Sequence, residues 1–370
     1  MTVSRWRIGA PVSCVLGLAA ISSSVRADIT FGGNARAFAM GGAGIAVVDR
    51  SERNTLLNPA ALALYNRRIK LEYPHLGFRA SGVPLDKAYD HLISNISADD
   101  AVSLARDFGK QDSNFGTSLG IGGRVGHMDL HADGQAQVRV LPNLALQTWA
   151  KNANGDISQL TGAERADLIG AAIYSLPEVG GAERISAAGS PTRVEAGVRV
   201  RLERAIYSHY VVNSSNIANN TPAAPAPELN GGTTITKDGI GADLGFLVHP
   251  ANHKGLSGAL VIYNAIEPNF RFTGTDQTGA PVKYDLQPRS IAVGSAWEGG
   301  RFLGVFDVVD LTRAYDNVQA RLGGEYTTKG LALRAGYSSA RGFTAGFGYG
   351  FLQFAFGARA PLQVTSSLRF

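Results

Sequence analysis

The stretch FTAGFGYGFLQFAFGARAPLQVTSSLRF, Phe343 to Phe370, closes the chain and decides how the rest is read. Phe343, Ala345, Phe347, Tyr349 and Phe351 fall on one face of an extended backbone, and Thr344, Gly346, Gly348 and Gly350 on the other. Backwards from the end, Phe370, Leu368, Val364 and Leu362 oppose Gln363, Thr365, Ser367 and Arg369, with Ser366 the exception. A period of two marks a β-strand with one apolar face. Chain ends are usually frayed and polar, so a closing strand this apolar must touch either a protein core or lipid.

The same pattern recurs upstream. Thr117, Leu119, Ile121 and Val125 oppose Ser118, Gly120, Gly122 and Arg124. Val194 to Leu202, Ile240 to Val248, Val318 to Tyr326 and Leu331 to Tyr337 alternate in the same way. Each run approaches the roughly 9–11 residues of a tilted transmembrane strand. Asp133-Gly134, Glu298-Gly299-Gly300 and Lys329-Gly330 supply tight-turn signals between strands.

The other end of the chain points the same way. Arg5 and Arg7 precede an apolar run from Ile8 to Ile21, and Val25-Arg26-Ala27 fits a peptidase site. The run is shorter than the roughly 20 residues of a spanning helix, so 1–27 reads as a secretory signal peptide. The single cysteine, Cys14, falls inside it, which excludes disulfides and cysteine catalysis in the mature chain. Arg5, Arg7 and Arg26 fall there too, so much of the formal charge of +5 belongs to the leader. Nothing then argues for nucleic acid as a partner.

No mature segment is apolar for long enough to span as a helix, so a membrane form must be a closed barrel. The alternative is a soluble exported β-sandwich. Strands polar on one side only, 45 glycines and the aromatic closing strand favour the barrel. The expectation is an all-β, transmembrane antiparallel β-barrel of about 14 strands, in the bacterial outer membrane with its lipid as partner. The barrel is read as 65–370 and an N-terminal hatch or plug segment as 28–64. Helical insertions are expected near 85–108 and 161–177, the second from the capping-box pattern Thr161 to Glu164. A long polar loop over 213–237, and a similar one over 268–287, read as outward and too poor in apolar residues to pack.

Candidate chemistry is sparse. Gly120 to Gly126 and Gly239 to Gly245 echo dinucleotide fingerprints but lie inside strand patterns, without the helix that motif needs. His127, Asp129, His131 and Asp133 share one strand face, which reads as a polar lumenal face rather than a metal site. There is no Gly-x-Ser-x-Gly elbow, so no enzyme, cofactor or metal is expected. Arg199, Arg201, Glu203, Asp307, Arg321, Glu325 and Arg334 alternate with apolar residues and therefore face the lumen. They either line a solute path or fill a closed lumen as ion pairs.

The mature N-terminus contains Ala39-Met-Gly-Gly-Ala-Gly44, Asp49, Ser51 and Asn58-Pro59-Ala60-Ala61. It resembles that of the FadL-like outer-membrane barrels, a superfamily of hydrophobic-compound transporters that also holds TraF-like and PorV-like barrels. Gly323 to Gly350 resembles the closing strands of the TraF-like and PorV-like branches. The resemblance implies a hatch inside the barrel, with Gly41, Gly42 and Gly44 as its flexible glycines and Asn58-Pro59 as a fixed turn. It implies that Leu368 and Phe370 form the signal read by the barrel-assembly machinery. It implies passage or binding of small hydrophobic molecules, or alternatively a non-transporting, porin-like barrel serving a secretion, conjugation or surface-assembly apparatus.

Overall fold

A strand with one apolar and one polar face satisfies both by joining a closed sheet, apolar side to lipid and polar side to its own contents. Fourteen antiparallel strands do so here. The structure, a computed structural model, describes residues 35–47, 57–65, 69–82, 102, 105–152, 156–219, 221, 223–229, 232, 234–275, 280–315, 317–350, 352–358 and 362–369. The signal peptide reading, Phe370 and most of 85–108 lie outside these residues.

The strands run in order as β1 (Ile69–Ser81), β2 (Ser113–Val125), β3 (Met128–Pro142), β4 (Arg165–Arg184), β5 (Thr192–Asn213), β6 (Ile235–Pro250) and β7 (Leu256–Ile266). Then follow β8 (Ser290–Gly299), β9 (Phe302–Val309), β10 (Gln319–Thr328), β11 (Leu331–Ser338), β12 (Gly342–Tyr349), β13 (Leu352–Gly357) and β14 (Leu362–Arg369). Each pairs with the next, and β14 returns to β1 with Phe78 opposite Val364. Closure removes the open edges that a sandwich would keep. Leu119, Ile121, Leu202, Ile240, Leu322 and Phe343 are exposed on the outer face, as an apolar belt in lipid requires. The sandwich alternative fails on both counts.

The longest connections, 82–112, 143–164, 214–234 and 267–289, all lie at the end opposite the one where β14 finishes; by that asymmetry the end where β14 finishes is periplasmic. Strand lengths differ around the ring. β4 and β5 have 20 and 22 residues, whereas β11, β12 and β14 have 8 each. The long strands form a tall wall that stands above the rest at the outer end. Two proline bulges stand in cross-strand register, between Glu72 and His75 in β1 and between Ser175 and Glu178 in β4. A bulge is where a strand can accept a residue without an N–H.

Several sequence readings change. Asp133-Gly134 is no turn; it lies inside β3, beside the irregularity that faces the β4 bulge. The turn is Gly126-His127, where Gly126 has φ +61°. Residues 161–177 are not a helix. Thr161 N–H (2.8 Å), the Thr161 hydroxyl (2.7 Å) and Gly162 N–H (2.9 Å) do close on Glu164, but that clasp opens β4. Leu168, Ile169, Ala172 and Ile173 have helical spacing only because both faces of β4 are apolar there. Ile169, Ala171 and Ile173 point in, and Leu168, Ala172 and Leu176 point out.

The two loops do pack. Ile217, Ala226 and Leu229 are buried in the first. The second contains a hairpin, Arg271–Thr275 with Pro281–Asp285, whose Phe272 and Tyr284 are buried. The unforeseen helix Leu144–Asn152 buries Leu146, Trp149 and Ala150 against Ala166 and Ile217, with Val102 and Ala105 alongside. In the 85–108 stretch, 105–108 is helical, and Phe108 meets Phe115 at 6.3 Å.

Candidate functional site

The lumen is filled from the N-terminal side of the chain. A short helix, Ala35–Ala39, contacts β11 to β14, the glycine turn after it meets β9 to β12, and the 3-10 helix Pro59–Leu64 contacts β4, β5 and β6. Segments touching opposite walls of a closed ring lie inside it. All their described side chains are buried except that of Leu57, and Gly42 is half-buried.

The wall grips the glycine turn through its backbone. Gly44 N–H and Ile45 N–H donate to one Asp307 oxygen at 2.6 and 3.1 Å. Arg321 Nη1 donates to Gly42 O at 3.1 Å. Gly41 N–H donates to the Thr344 hydroxyl at 3.0 Å, and that hydroxyl donates on to Ala39 O at 3.0 Å. Gly41 has φ +74°, and a Cβ there would stand 2.4 Å from Tyr337 O. Only glycine meets both conditions. Across from it, Gly323 and Gly336 carry no side chain where Met40 passes. Here backbone lies against backbone.

Arg36 anchors the helix. Its Nε and Nη2 reach Glu325 at 2.9 and 2.7 Å, Arg334 also donates to Glu325, and all three side chains are buried. The second segment is fixed by Asn58. Its side-chain amide donates to Ile45 O and Phe246 O, both at 3.1 Å, and its Oδ1 caps Ala60 N–H at 3.0 Å. Pro59 stands at the first helical position, where its fixed φ suits a helix start. It packs into the spaces left by Gly197 and Gly245.

The remaining wall charges neutralise one another at mid-depth. Arg199 pairs with Glu178 at 2.8 Å and approaches Asp129 at 3.8 Å. Arg201 joins Glu203 (3.0 Å), Asp243 and Asn264 (2.7 Å), and Gln287 closes on Glu203 at 3.1 Å. Asp129 and His131 pair at 3.2 Å, while His127 sits apart beside Glu183. Among the described residues no group of three metal-ligating side chains gathers. Leu368 lies in β14.

Above this polar layer the same face of β5 changes character. After Arg199, Arg201 and Glu203 the inward positions become Ala205, Tyr207 and His209. Ile169, Ile173, Phe270, Phe272, Tyr284 and Leu286 join Ala205 and Tyr207 in an apolar cluster, with Tyr207 and Phe272 stacked at 4.9 Å. One side belongs to the tall wall and the other to the loops over the outer mouth. Sequence reasoning missed this apolar cluster. The signal was the switch from charged to apolar at successive inward positions of one strand.

No protein-family model matches the chain, and no curated protein does. Solved structures do. A TodX monoaromatic hydrocarbon channel carrying the deltaS2S3 mutation is 13% identical over 92% of this chain and 99% of that one, with a TM-score of 0.50. The toluene transporter TodX of P. putida is 14% identical over 92% and 99%, TM-score 0.48. The toluene transporter TbuX of Ralstonia pickettii is 15% identical over 91% and 97%, TM-score 0.47. The shared feature is the fold, that of a bacterial outer-membrane β-barrel.

Proposed function

We propose that this chain, a FadL-like outer-membrane β-barrel by fold, binds small hydrophobic molecules in the outer part of its lumen and passes them inward past the N-terminal segments. The observation that carries this reading is the aromatic cluster of Tyr207, Phe272 and Tyr284, set above a charged layer and under the loops. A lumen that only needed filling could continue the ion-pair lattice seen below it. Apolar walls under a loop roof suit a ligand of the same character. The monoaromatic channels of like fold make toluene the first ligand to try.

The purified protein in detergent should retain labelled toluene in equilibrium dialysis, and Phe272→Ala with Tyr207→Ala should weaken retention about tenfold, the loss of one to two aromatic contacts. Retention no better than that of detergent alone, by protein that still runs as a folded barrel, ends the reading. The rival is a closed barrel serving a surface apparatus. It is favoured by how thoroughly Asp307, Arg321, Thr344 and Glu325 tether the plug. Cells carrying the protein would then take up toluene no faster than cells without it, and a second protein would remain bound through purification.

A further inference from the structure

We infer that His209 is a proton-dependent clasp that holds the outer loop 214–234 against the barrel wall. The ring sits between two carboxylates from different elements. Nε2 faces Asp167 Oδ1 of β4 at 3.1 Å, and Nδ1 faces Glu228 Oε1 of the loop. His209 and Asp167 are fully buried and Glu228 nearly so, with side-chain exposures of 0, 1 and 11%. An ionised carboxylate only accepts hydrogen bonds, so both ring nitrogens must donate. Only the imidazolium does that.

The surroundings agree with a cation. Arg165 donates to the Asp167 oxygen at 2.8 Å, offsetting part of that charge. From its own strand, Tyr207 lies 6.4 Å away, ring centre to ring centre. From the hairpin, Tyr284 packs on Tyr207 at 5.8 Å, and from β6 the Lys237 ammonium lies over the Phe272 ring at 4.9 Å. No other described carboxylate pairs with the ring.

Loss of one proton to solvent leaves a lone pair on one nitrogen, aimed at a buried carboxylate. That hydrogen bond is gone, and the carboxylate is stranded out of water. The strain falls on the loop, because Glu228 is its contribution. Backbone contacts bind the same region: Ala226 N–H donates to His209 O at 3.0 Å, and Tyr210 pairs with Pro225. Leu229, next to Glu228, is part of the aromatic cluster. Opening the clasp therefore uncovers that cluster. Its meaning as a gate rests on the binding function proposed above; the clasp itself does not.

The test is limited proteolysis by proteinase K of the detergent-folded protein, at about pH 6 and about pH 9, either side of the usual histidine range. Cleavage within 214–234 is normalised to cleavage of a free peptide of that sequence. The wild type should be cut about tenfold faster at the higher pH, the effect of one unit of proton coupling. Glu228→Gln should stay protected at both, because an amide can donate to a neutral ring that still donates to Asp167. His209→Leu should be cut quickly at both. A wild-type rate unchanged by pH, or a Glu228→Gln loop that still opens at pH 9, overturns the clasp. If His209→Leu does not fold, Glu228→Gln alone decides. No ligand enters the measurement, so a failed toluene experiment and a failed clasp are separate results.

Discussion

Met40 passes so close to two strands that they have no room for side chains. A Cβ at Gly336 would lie 2.2 Å from the Met40 carbonyl carbon, and one at Gly323 would lie 2.5 Å from its Cβ. Gly336→Ala must therefore push the Met40 segment off the wall, at about 1–3 kcal/mol for overpacking of this kind. Gly304→Ala, where nothing stands within 4 Å, should be silent. The midpoint of the heat-induced shift in gel mobility compares the two. The ion triad gives a second contrast at this scale. Arg36→Met leaves Glu325 still paired with Arg334, whereas Glu325→Leu removes the one carboxylate that both buried guanidinium groups share. The second change should be the more damaging, by about 3–5 kcal/mol against wild type, in urea unfolding followed by tryptophan fluorescence. That Glu325, Arg334 and Asp307 stand opposite the apolar positions of their strands was legible from period two alone. What they hold was not, because Arg36 and Glu325 are 289 residues apart and no local pattern links them.

At the scale of an element, β4 shows how two honest signals can mislead together. Thr161 to Glu164 makes the contacts of a helix cap, and Leu168, Ile169, Ala172 and Ile173 follow at helical spacing. The strand won because its neighbours β3 and β5 supply a full ladder on both sides, which local propensity cannot outweigh. The clasp before it has a use of its own. Burial alone would raise the Glu164 carboxyl, but the hydrogen bonds from Thr161 and Gly162 outweigh it and hold the group below its ordinary range. A carboxylate depressed in the folded state adds stability that is complete above its unfolded pKa of about 4.3 and fades as the pH falls through the lower folded value. Glu164→Gln should then cost about 1 kcal/mol at neutral pH and nothing once wild-type Glu164 is protonated. Heat-shift midpoints of the two proteins should converge on acidification. The misread loops have a related lesson: Phe270 and Phe272, like Val282, Tyr284 and Leu286, do alternate with polar residues, but runs this short show no apolar face large enough to pack alone, and only the tall wall gives them something to cover.

Over the whole molecule, the ring was readable because each strand repeats one rule, and its closure follows from the need to leave no edge in lipid. The division of the interior into N-terminal segments, charged layer and aromatic cluster was not readable, since it depends on which strands rise above the others. That unevenness reaches beyond the protein. A strand of 8 residues such as β11 or β12, at about 3.4 Å per residue and tilted by about 40°, crosses only about 20 Å. An ordinary hydrocarbon layer is about 30 Å thick. On one flank, then, acyl chains must compress or the barrel must lean until its short side fits; on the flank of β4 and β5 they need do neither. Mismatch of this kind costs fractions of a kcal/mol per Å, enough to grade a series of bilayers. Folding yield in phosphatidylcholine vesicles should fall steadily as the acyl chains lengthen from about 12 to about 18 carbons, and a yield that does not depend on chain length would mean that the short flank meets no bilayer. The barrel thus carries a thin patch of membrane with it wherever it diffuses.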